Sequence, residues 1–206
     1  MKRICVFCGS SPGADPAFMK AAEELGALLA VRKIGLVYGG SGFGLMGAVS
    51  RAAIQAGGEV IGVIPRAMVE KGVESYRLTD VRIVSDMHER KSLMASLADG
   101  FIALPGGYGT LEEIFEVITW AQLGYHNKPC GFLNIAGYYD HLFEFLQHGS
   151  QQGFIDAAHL EMALWDETPS SLLDRFLLYS PPEVDKLASA AKKTAGYNHQ
   201  NGIHSH

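Results

Sequence analysis

The sequence has few cysteines, no long apolar run and no excess of positive charge, and each absence excludes a class of protein. Its three cysteines, Cys5, Cys8 and Cys130, lack the paired spacings of a zinc site or a disulfide framework. Cys5 and Cys8 fall on one predicted strand, where residues three apart face opposite sides of a sheet. We therefore expect buried, reduced cysteines that serve the core.

No segment approaches the ~20 uninterrupted apolar residues that cross a bilayer, and the first residues run into a strand-like segment without a signal-peptide cleavage site. The formal net charge of −5 gives no positive field for a nucleic-acid backbone. We expect a soluble cytoplasmic protein that binds neither membrane nor nucleic acid, although one small anion could still be held locally.

Short runs rich in Ile, Val and Phe alternate with segments of helical period. This alternation is typical of parallel strands joined by crossover helices. The predicted strands are Arg3–Cys8, Ile34–Tyr38, Glu59–Ile64, Val81–Val84, Phe101–Leu104 and Cys130–Asn134. The predicted helices are Pro16–Arg32, Leu45–Ala56, Met87–Ala98, Thr110–Leu123, Tyr138–Gln152 and Ser170–Tyr179. The pattern predicts one α/β domain over residues 1–180, a Rossmann-like, doubly wound parallel sheet with helices on both faces.

After Pro181-Pro182 the pattern gives way to Ala, Lys, Asn, Gly and His, and we expect residues 181–206 to form a flexible tail. His199, His204 and His206 could bind a stray metal there. Nothing upstream depends on the tail, so no catalytic function is assigned to it.

Three glycine-rich loops follow predicted strands: Cys8-Gly9-Ser10-Ser11, Gly39-Gly40-Ser41-Gly42-Phe43-Gly44 and Pro105-Gly106-Gly107-Tyr108-Gly109-Thr110. Ligands of doubly wound sheets bind outside the carboxyl ends of the strands. In the third loop, glycines leave the backbone amides open to an anion, and Thr110 is predicted to open a helix whose N-terminus favours negative charge. No Gly-Lys-Ser/Thr follows, so the loop suits a single phosphate rather than a magnesium triphosphate.

The second loop continues into a Gly-x-Gly-x-x-Gly pattern at Gly42-Phe43-Gly44-Leu45-Met46-Gly47. A dinucleotide site would also need an acidic residue at the end of the next strand, and Ile61-Gly62-Val63-Ile64-Pro65 ends that strand without one. The alternative explanation is tight packing of helix against sheet through small residues.

The third loop, Pro105-Gly106-Gly107-Tyr108-Gly109-Thr110, is called the phosphate loop below. Glu113 is predicted to lie in the first turn of the helix that follows it, close to an anchored ligand. Thr110-Leu111-Glu112-Glu113 also fits a capping box, in which Glu113 would only bond back to the helix start. The local pattern does not decide between a cap and a catalyst.

Arg90 and Lys91 fall in the first turns of a helix that starts near Asp86, where cations oppose the helix dipole. Something anionic should compensate them, either a ligand or Asp86 through an i, i+4 pair with Arg90. Arg90 and Glu113 follow consecutive strands and are predicted to converge on one cleft. His88 beside Glu89 could suggest a metal site, but sequence neighbours on a helix diverge.

The sequence resembles the LOG (Lonely Guy) proteins, cytokinin riboside 5′-monophosphate phosphoribohydrolases that are often labelled lysine decarboxylases. The resemblance extends over roughly residues 1–180. It rests on Pro105-Gly106-Gly107-Tyr108-Gly109-Thr110-Leu111-Glu112-Glu113, Met87-His88-Glu89-Arg90-Lys91, the Gly39–Gly47 segment, Thr119-Trp120-Ala121-Gln122-Leu123-Gly124 and Lys128-Pro129.

The resemblance implies a homodimer that cleaves AMP, or an N6-substituted AMP, into free base and ribose 5-phosphate without a cofactor or metal. It implies Arg90 and Glu113 as the catalytic pair. The predicted substrate- and phosphate-binding residues are Ser10, Gly40, Ser41, Met87, Lys91, Gly106, Gly107, Tyr108, Gly109, Thr110, Glu112 and Thr119.

The main alternative is a carrier of a nucleotide or phosphorylated cofactor, which would need the glycines but no carboxylate at the ribose. A nicotinamide dehydrogenase lacks its ribose-binding acid here, and a decarboxylase would need a pyridoxal lysine site. The choice of base is expected to depend on the segment around Arg66–Arg77.

Overall fold

A computed structural model describes residues 1–71, 78, 80–182 and 186–200 of the chain. The strands are β1 (Arg3–Phe7), β2 (Gly35–Tyr38), β3 (Val60–Pro65), β4 (Asp80–Val84), β5 (Phe101–Ala103), β6 (Cys130–Leu133) and β7 (Ala163–Asp166). The helices are α1 (Pro16–Val31), α2 (Gly44–Gln55), α3 (Arg66–Val69), α4 (Met87–Leu97), α5 (Tyr108–Gln122), α6 (Asp140–Gln151), α7 (Ala157–Leu160), α8 (Pro169–Leu177) and α9 (Lys186–Gln200), with a 3₁₀ turn at Ile135–Gly137.

The described residues form a seven-stranded sheet in the order β4-β3-β2-β1-β5-β6-β7, and each neighbouring pair is parallel. The chain winds outward from β1 to β4 and then returns to place β5 on the other side of β1. The predicted doubly wound sheet is confirmed. Its topological switch point lies between β1 and β5, where this class of fold forms its ligand crevice.

The core has two halves, one on each face of the sheet. Ile4, Val6 and Cys8 pack against α1, α2 and α8, while Cys5 and Phe7 face α4 and α5. This alternation follows from the two-residue period of a strand. The prediction for the cysteines is confirmed, because all three are buried free thiols and Cys5 and Cys8 lie on opposite faces.

The sequence analysis missed β7, the edge strand of Ala163–Asp166. The segment is apolar over Ala163, Leu164 and Trp165, but a run this short does not distinguish a strand from a helix. Its pairing with β6 and the stacking of Trp165 on Phe132, with ring centroids 4.2 Å apart, define it as a strand. These are tertiary contacts that local sequence does not encode.

The segment predicted as a flexible tail contains helix α9. Ser189 Oγ donates to the Asp156 carboxylate at 2.6 Å, and Lys193 Nζ lies 3.4 Å from the same group. The sequence analysis missed this helix, although its Ala and Lys residues are good helix formers. The flexibility of the tail stays a prediction. The domain division at residue 180 stays a prediction, and residues 201–206 with His204 and His206 lie outside the described residues.

None of the helices described is long and apolar enough to cross a membrane.

Candidate active site

A cleft of about 540 Å³ opens at the carboxyl ends of the central strands, at the switch point between β1 and β5. All three glycine-rich loops reach it. Its lining is formed by Val6, Phe7, Cys8, Gly9, Ser10, Gly39, Ser41, Phe43, Met46, Ile64, Met68, Met87, Arg90, Gly107, Tyr108, Gly109, Thr110 and Glu113.

Arg90 is a buried cation whose position is fixed from two sides. Its Nε donates to the carbonyl of Val63 at 3.1 Å, and its Nη1 donates to the Glu113 carboxylate. Helix α4 places the side chain here because Asp86 caps the helix, accepting from the amides of His88 and Glu89. Since the Asp86 carboxylate serves as a cap, the alternative of an Asp86–Arg90 side-chain pair is wrong.

Gly39 supplies the room that the Arg90 guanidinium occupies. A Cβ at this glycine would lie 2.3 Å from Arg90 Nη2, well inside van der Waals contact. The buried pair of Arg90 with Glu113 therefore depends on a residue from the second loop as well as on α4 and α5.

The capping-box interpretation of Glu113 is wrong, because α5 begins two residues earlier than predicted. Its N-cap is Gly107, no side chain caps it, and Tyr108 rather than Thr110 is the first helical residue. Glu113 thus lies in the second turn, beyond reach of the helix start. Its carboxylate bonds Arg90 and lines the cleft instead.

The phosphate loop is open at two of its three glycines. A Cβ at Gly107 or Gly109 would meet no atom within 4 Å, whereas one at Gly106 would lie 2.1 Å from Thr110 Oγ1. The amides of the first turn of a helix have no acceptor within the helix. Together they form a concave, amide-lined cradle suited to one anion.

This contrast gives a first prediction. We expect Gly109→Ala to keep or slightly raise thermal stability, because alanine favours a helix and meets no neighbour, but to weaken ribose 5-phosphate binding at least about tenfold by displacing a charge-assisted hydrogen bond. Gly106→Ala should instead lower the melting temperature, because its Cβ collides with Thr110. Calorimetric titration and thermal melts measure both, and unchanged ribose 5-phosphate affinity in Gly109→Ala would contradict the cradle.

Comparison with known proteins matches residues 46–176 to a family model described as "Possible lysine decarboxylase". Cytokinin riboside 5′-monophosphate phosphoribohydrolase LOG7 of Arabidopsis thaliana is 48% identical over 188 residues, covering 91% of this chain and 86% of that protein. The LOG4 phosphoribohydrolase of the same plant is 49% identical over 179 residues, covering 87% and 83%. The chain belongs to the LOG family.

The fold of this LOG-family chain is also found in more distant structures. The molybdenum cofactor binding protein of Rippkaea orientalis superposes with a TM-score of 0.64 at 23% identity, covering 85% of this chain and 95% of that protein. At this identity the likeness concerns the fold alone.

Several residues predicted for the LOG-family site do not line the cleft of this chain. Lys91 Nζ bonds the carboxylates of Glu112 and Glu116, the latter at 3.0 Å. Thr119 is exposed, and its hydroxyl donates to the carbonyl of Phe115 at 2.7 Å. Their roles in substrate binding stay predictions.

Gly40 also lies outside the lining of the cleft. Its φ of 77° is positive, and a Cβ there would lie 2.1 Å from Ile64 Cγ1, so this position requires a glycine for packing. The same holds for the glycines after it: a Cβ at Gly44 would lie 2.3 Å from Ser10, and one at Gly47 would lie 2.0 Å from the carbonyl of Gly42. These contacts are with the backbone of the first and second loops, so the alternative explanation, packing of helix against sheet, stays a prediction. Ser41, in contrast, lines the cleft.

The sequence analysis missed the apolar wall of the cleft. Phe43, Met46, Ile64 and Met68 join Met87 there, and half-exposed Phe43, Met68 and Met87 present apolar surface to the opening. A wall of this kind suits the flat face of a purine. Met68 belongs to the segment expected to choose the base, of which residues 72–77 lie outside the described residues.

Two titratable side chains of the cleft, Glu113 and Cys8, have raised pKa values with different consequences. Burial raises the pKa of the Glu113 carboxyl above its ordinary value, and the Arg90 guanidinium reduces this rise without cancelling it. Burial also raises the pKa of the Cys8 thiol well above its usual range, with a smaller contribution from Glu113. Glu113 therefore takes up a proton at a higher pH than an ordinary glutamate does, while Cys8 stays a thiol and not a nucleophile.

Proposed function

We propose that this protein hydrolyses the N-glycosidic bond of AMP or an N6-substituted AMP, releasing the free base and ribose 5-phosphate. The observation that carries the proposal is one cleft in which the buried Glu113–Arg90 pair lies beside an open, amide-lined loop. The loop holds the 5′-phosphate and the carboxylate reaches the sugar. The curated relatives named as phosphoribohydrolases support this assignment.

In the proposed reaction the bond between C1′ and the base nitrogen breaks, and its electron pair leaves with the base. The ribose acquires oxocarbenium character, which the Glu113 carboxylate stabilises. Water forms the new C1′–O bond and gives its proton to Glu113. The departing base takes up a proton from solvent, and Glu113 then releases its proton to solvent. Anchoring the phosphate away from this bond fixes C1′ against the carboxylate.

Arg90 positions the Glu113 carboxylate and does not donate a proton to the substrate. A guanidinium stays charged at any ordinary pH, so it is a poor proton donor. By bonding both Glu113 and the Val63 carbonyl it holds the carboxylate in one orientation. It also lowers the pKa of Glu113 relative to that of an unpaired carboxylate buried in the same place.

The pH dependence of Glu113 gives a second prediction. Because burial raises its pKa, the carboxylate needed for catalysis forms only above the ordinary glutamate value of 4.5, and activity is lost as the pH falls through the raised pKa. In protein with ¹³C-labelled glutamate, the carboxyl resonance that disappears in Glu113→Gln should titrate above pH 4.5. Titration of that resonance at or below 4.5 would contradict the prediction.

A carrier protein would need the same cradle but not Glu113 beside it, and a pyridoxal decarboxylase would need a lysine for its Schiff base. The lining of the cleft contains no lysine among the described residues, since Lys91 bonds Glu112 and Glu116 instead. Both alternatives are therefore less consistent with this cleft than hydrolysis.

The deciding experiment incubates the purified protein with AMP and with isopentenyladenosine 5′-monophosphate and quantifies free base by chromatography. Base release from either establishes the hydrolase, and the ratio of kcat/KM values identifies the preferred base. Binding of both nucleotides without base release would favour the carrier.

A homodimer and a cytoplasmic location belong to the same proposal, and light scattering with the purified protein tests the first.

A further inference from the structure

Two neighbouring tyrosines, Tyr138 and Tyr139, bond the phosphate loop from behind. Tyr138 Oη donates to the carbonyl of Gly106 and Tyr139 Oη to the carbonyl of Leu104, both at 2.7 Å. Neither tyrosine lines the cleft. They lie in the turn after β6, which neighbours β5 in the sheet, so the turn reaches the loop that follows β5.

The carbonyls of the loop are held one after another. Between the two tyrosine bonds, the carbonyl of Pro105 accepts from the amide of Gly9 at 3.0 Å. The next carbonyl, of Gly107, accepts from the Leu111 amide at 3.1 Å and so joins α5. Four successive carbonyls, from Leu104 to Gly107, thus each have a hydrogen-bond partner within the protein.

A planar trans peptide directs its N–H opposite to its C=O. The carbonyl of Gly106 and the amide of Gly107 belong to one peptide, so a bond from Tyr138 to the carbonyl turns the Gly107 N–H away from Tyr138. Gly107 lines the cleft while Gly106 and Tyr138 do not. A bond that fixes the carbonyl of Gly106 also fixes the direction of the Gly107 N–H, which Tyr138 does not contact.

The turn that carries the tyrosines is itself fixed. The Asn134 side chain accepts from the Tyr139 amide at 2.7 Å and donates to Asp140 at 2.6 Å. Tyr138 packs edge-on against Phe18 and Tyr139, with ring centroids 5.5 and 4.8 Å apart. The hydroxyls are thus presented to the loop by a rigid support.

We infer that Tyr138 is a positioning residue for substrate phosphate, supported by Tyr139, and that it acts by orienting the peptide between Gly106 and Gly107. This inference rests on the proposed function, because it presumes that the loop holds the 5′-phosphate. It makes phosphate affinity depend on a hydroxyl outside the binding site.

The test is Tyr138→Phe, which removes the hydroxyl and keeps the ring packing. We expect the dissociation constant of ribose 5-phosphate, measured by calorimetry, and the KM for AMP to rise together about three- to tenfold, the range of one neutral hydrogen bond, with kcat within about twofold of wild type. Tyr125→Phe is the matched control, because it removes the hydroxyl of an exposed tyrosine that does not line the cleft. It should change neither value.

An unchanged dissociation constant in Tyr138→Phe, or a fall in kcat with unaltered binding, would overturn the inference. Tyr139→Phe is a second variant, and there the same rise in the dissociation constant should come with a lower melting temperature, because the buried Leu104 carbonyl loses its donor. If wild type binds ribose 5-phosphate but releases no base, the proposed function fails while the ratio of dissociation constants still decides the role of Tyr138.

Discussion

Replacing Glu113 by glutamine is expected to lower kcat for base release about 10²- to 10⁴-fold, the usual contribution of a positioned general base. Glutamine keeps the size of the side chain but can neither take a proton from water nor stabilise positive charge at C1′. The dissociation constant of ribose 5-phosphate should change little, because the phosphate cradle is built from backbone amides. Chromatographic rates and calorimetric titration measure the two effects separately.

The matched control is Glu24→Gln on the outer surface of α1. Glu24 pairs only loosely with Lys20, at 3.7 Å, and lies outside the cleft. This variant should keep wild-type kcat. Equal rates for Glu113→Gln and wild type would remove Glu113 from the chemistry, whatever the geometry of the cleft.

Replacing Arg90 by methionine is expected to cost about 3–5 kcal/mol of unfolding free energy at neutral pH, because it leaves a buried carboxylate without its cation. The pH dependence of this cost follows from Glu113, because burial raises its pKa, Arg90 lowers it, and loss of Arg90 therefore raises it further. The folded protein then binds the proton more tightly than the unfolded chain, so the penalty is small below the unfolded value near 4.5 and grows as the pH rises through the folded pKa. Urea unfolding at several pH values measures this.

The double variant Arg90→Met with Glu113→Gln separates a buried charge from lost packing. Removing the carboxylate should restore part of the stability that Arg90→Met loses, and flatten its pH dependence. Arg82→Met is the control, since Arg82 pairs with Asp80 on an exposed edge and such pairs contribute about 0–1 kcal/mol. A double variant no more stable than Arg90→Met would show that the cost is not electrostatic.

Most of the secondary structure could be predicted because strands buried on both faces are continuously apolar and the crossover helices carry a helical period. The missed and misplaced elements have different causes. The edge strand β7 is too short to show a period, and its stacking on Phe132 helps to define it. Helix α9 was missed although its Ala and Lys residues favour a helix, and Ser189 of α9 bonds distant Asp156. The start of α5 was misplaced because Thr110 resembles a cap, whereas Gly107 occupies that position.

The sequence by itself determined the parallel α/β architecture, the placement of the glycine loops at the carboxyl ends of the strands and, through the resemblance to the LOG proteins, the candidate pair of Arg90 and Glu113. These follow from local periodicity and from motifs that are contiguous in the chain. Only the tertiary structure decided that Glu113 bonds Arg90 rather than capping a helix, that Lys91 bonds Glu112 and Glu116 outside the cleft, and that Tyr138 holds the phosphate loop. Each of these depends on the distance between side chains on different elements, which the winding order of the sheet sets and local sequence does not contain.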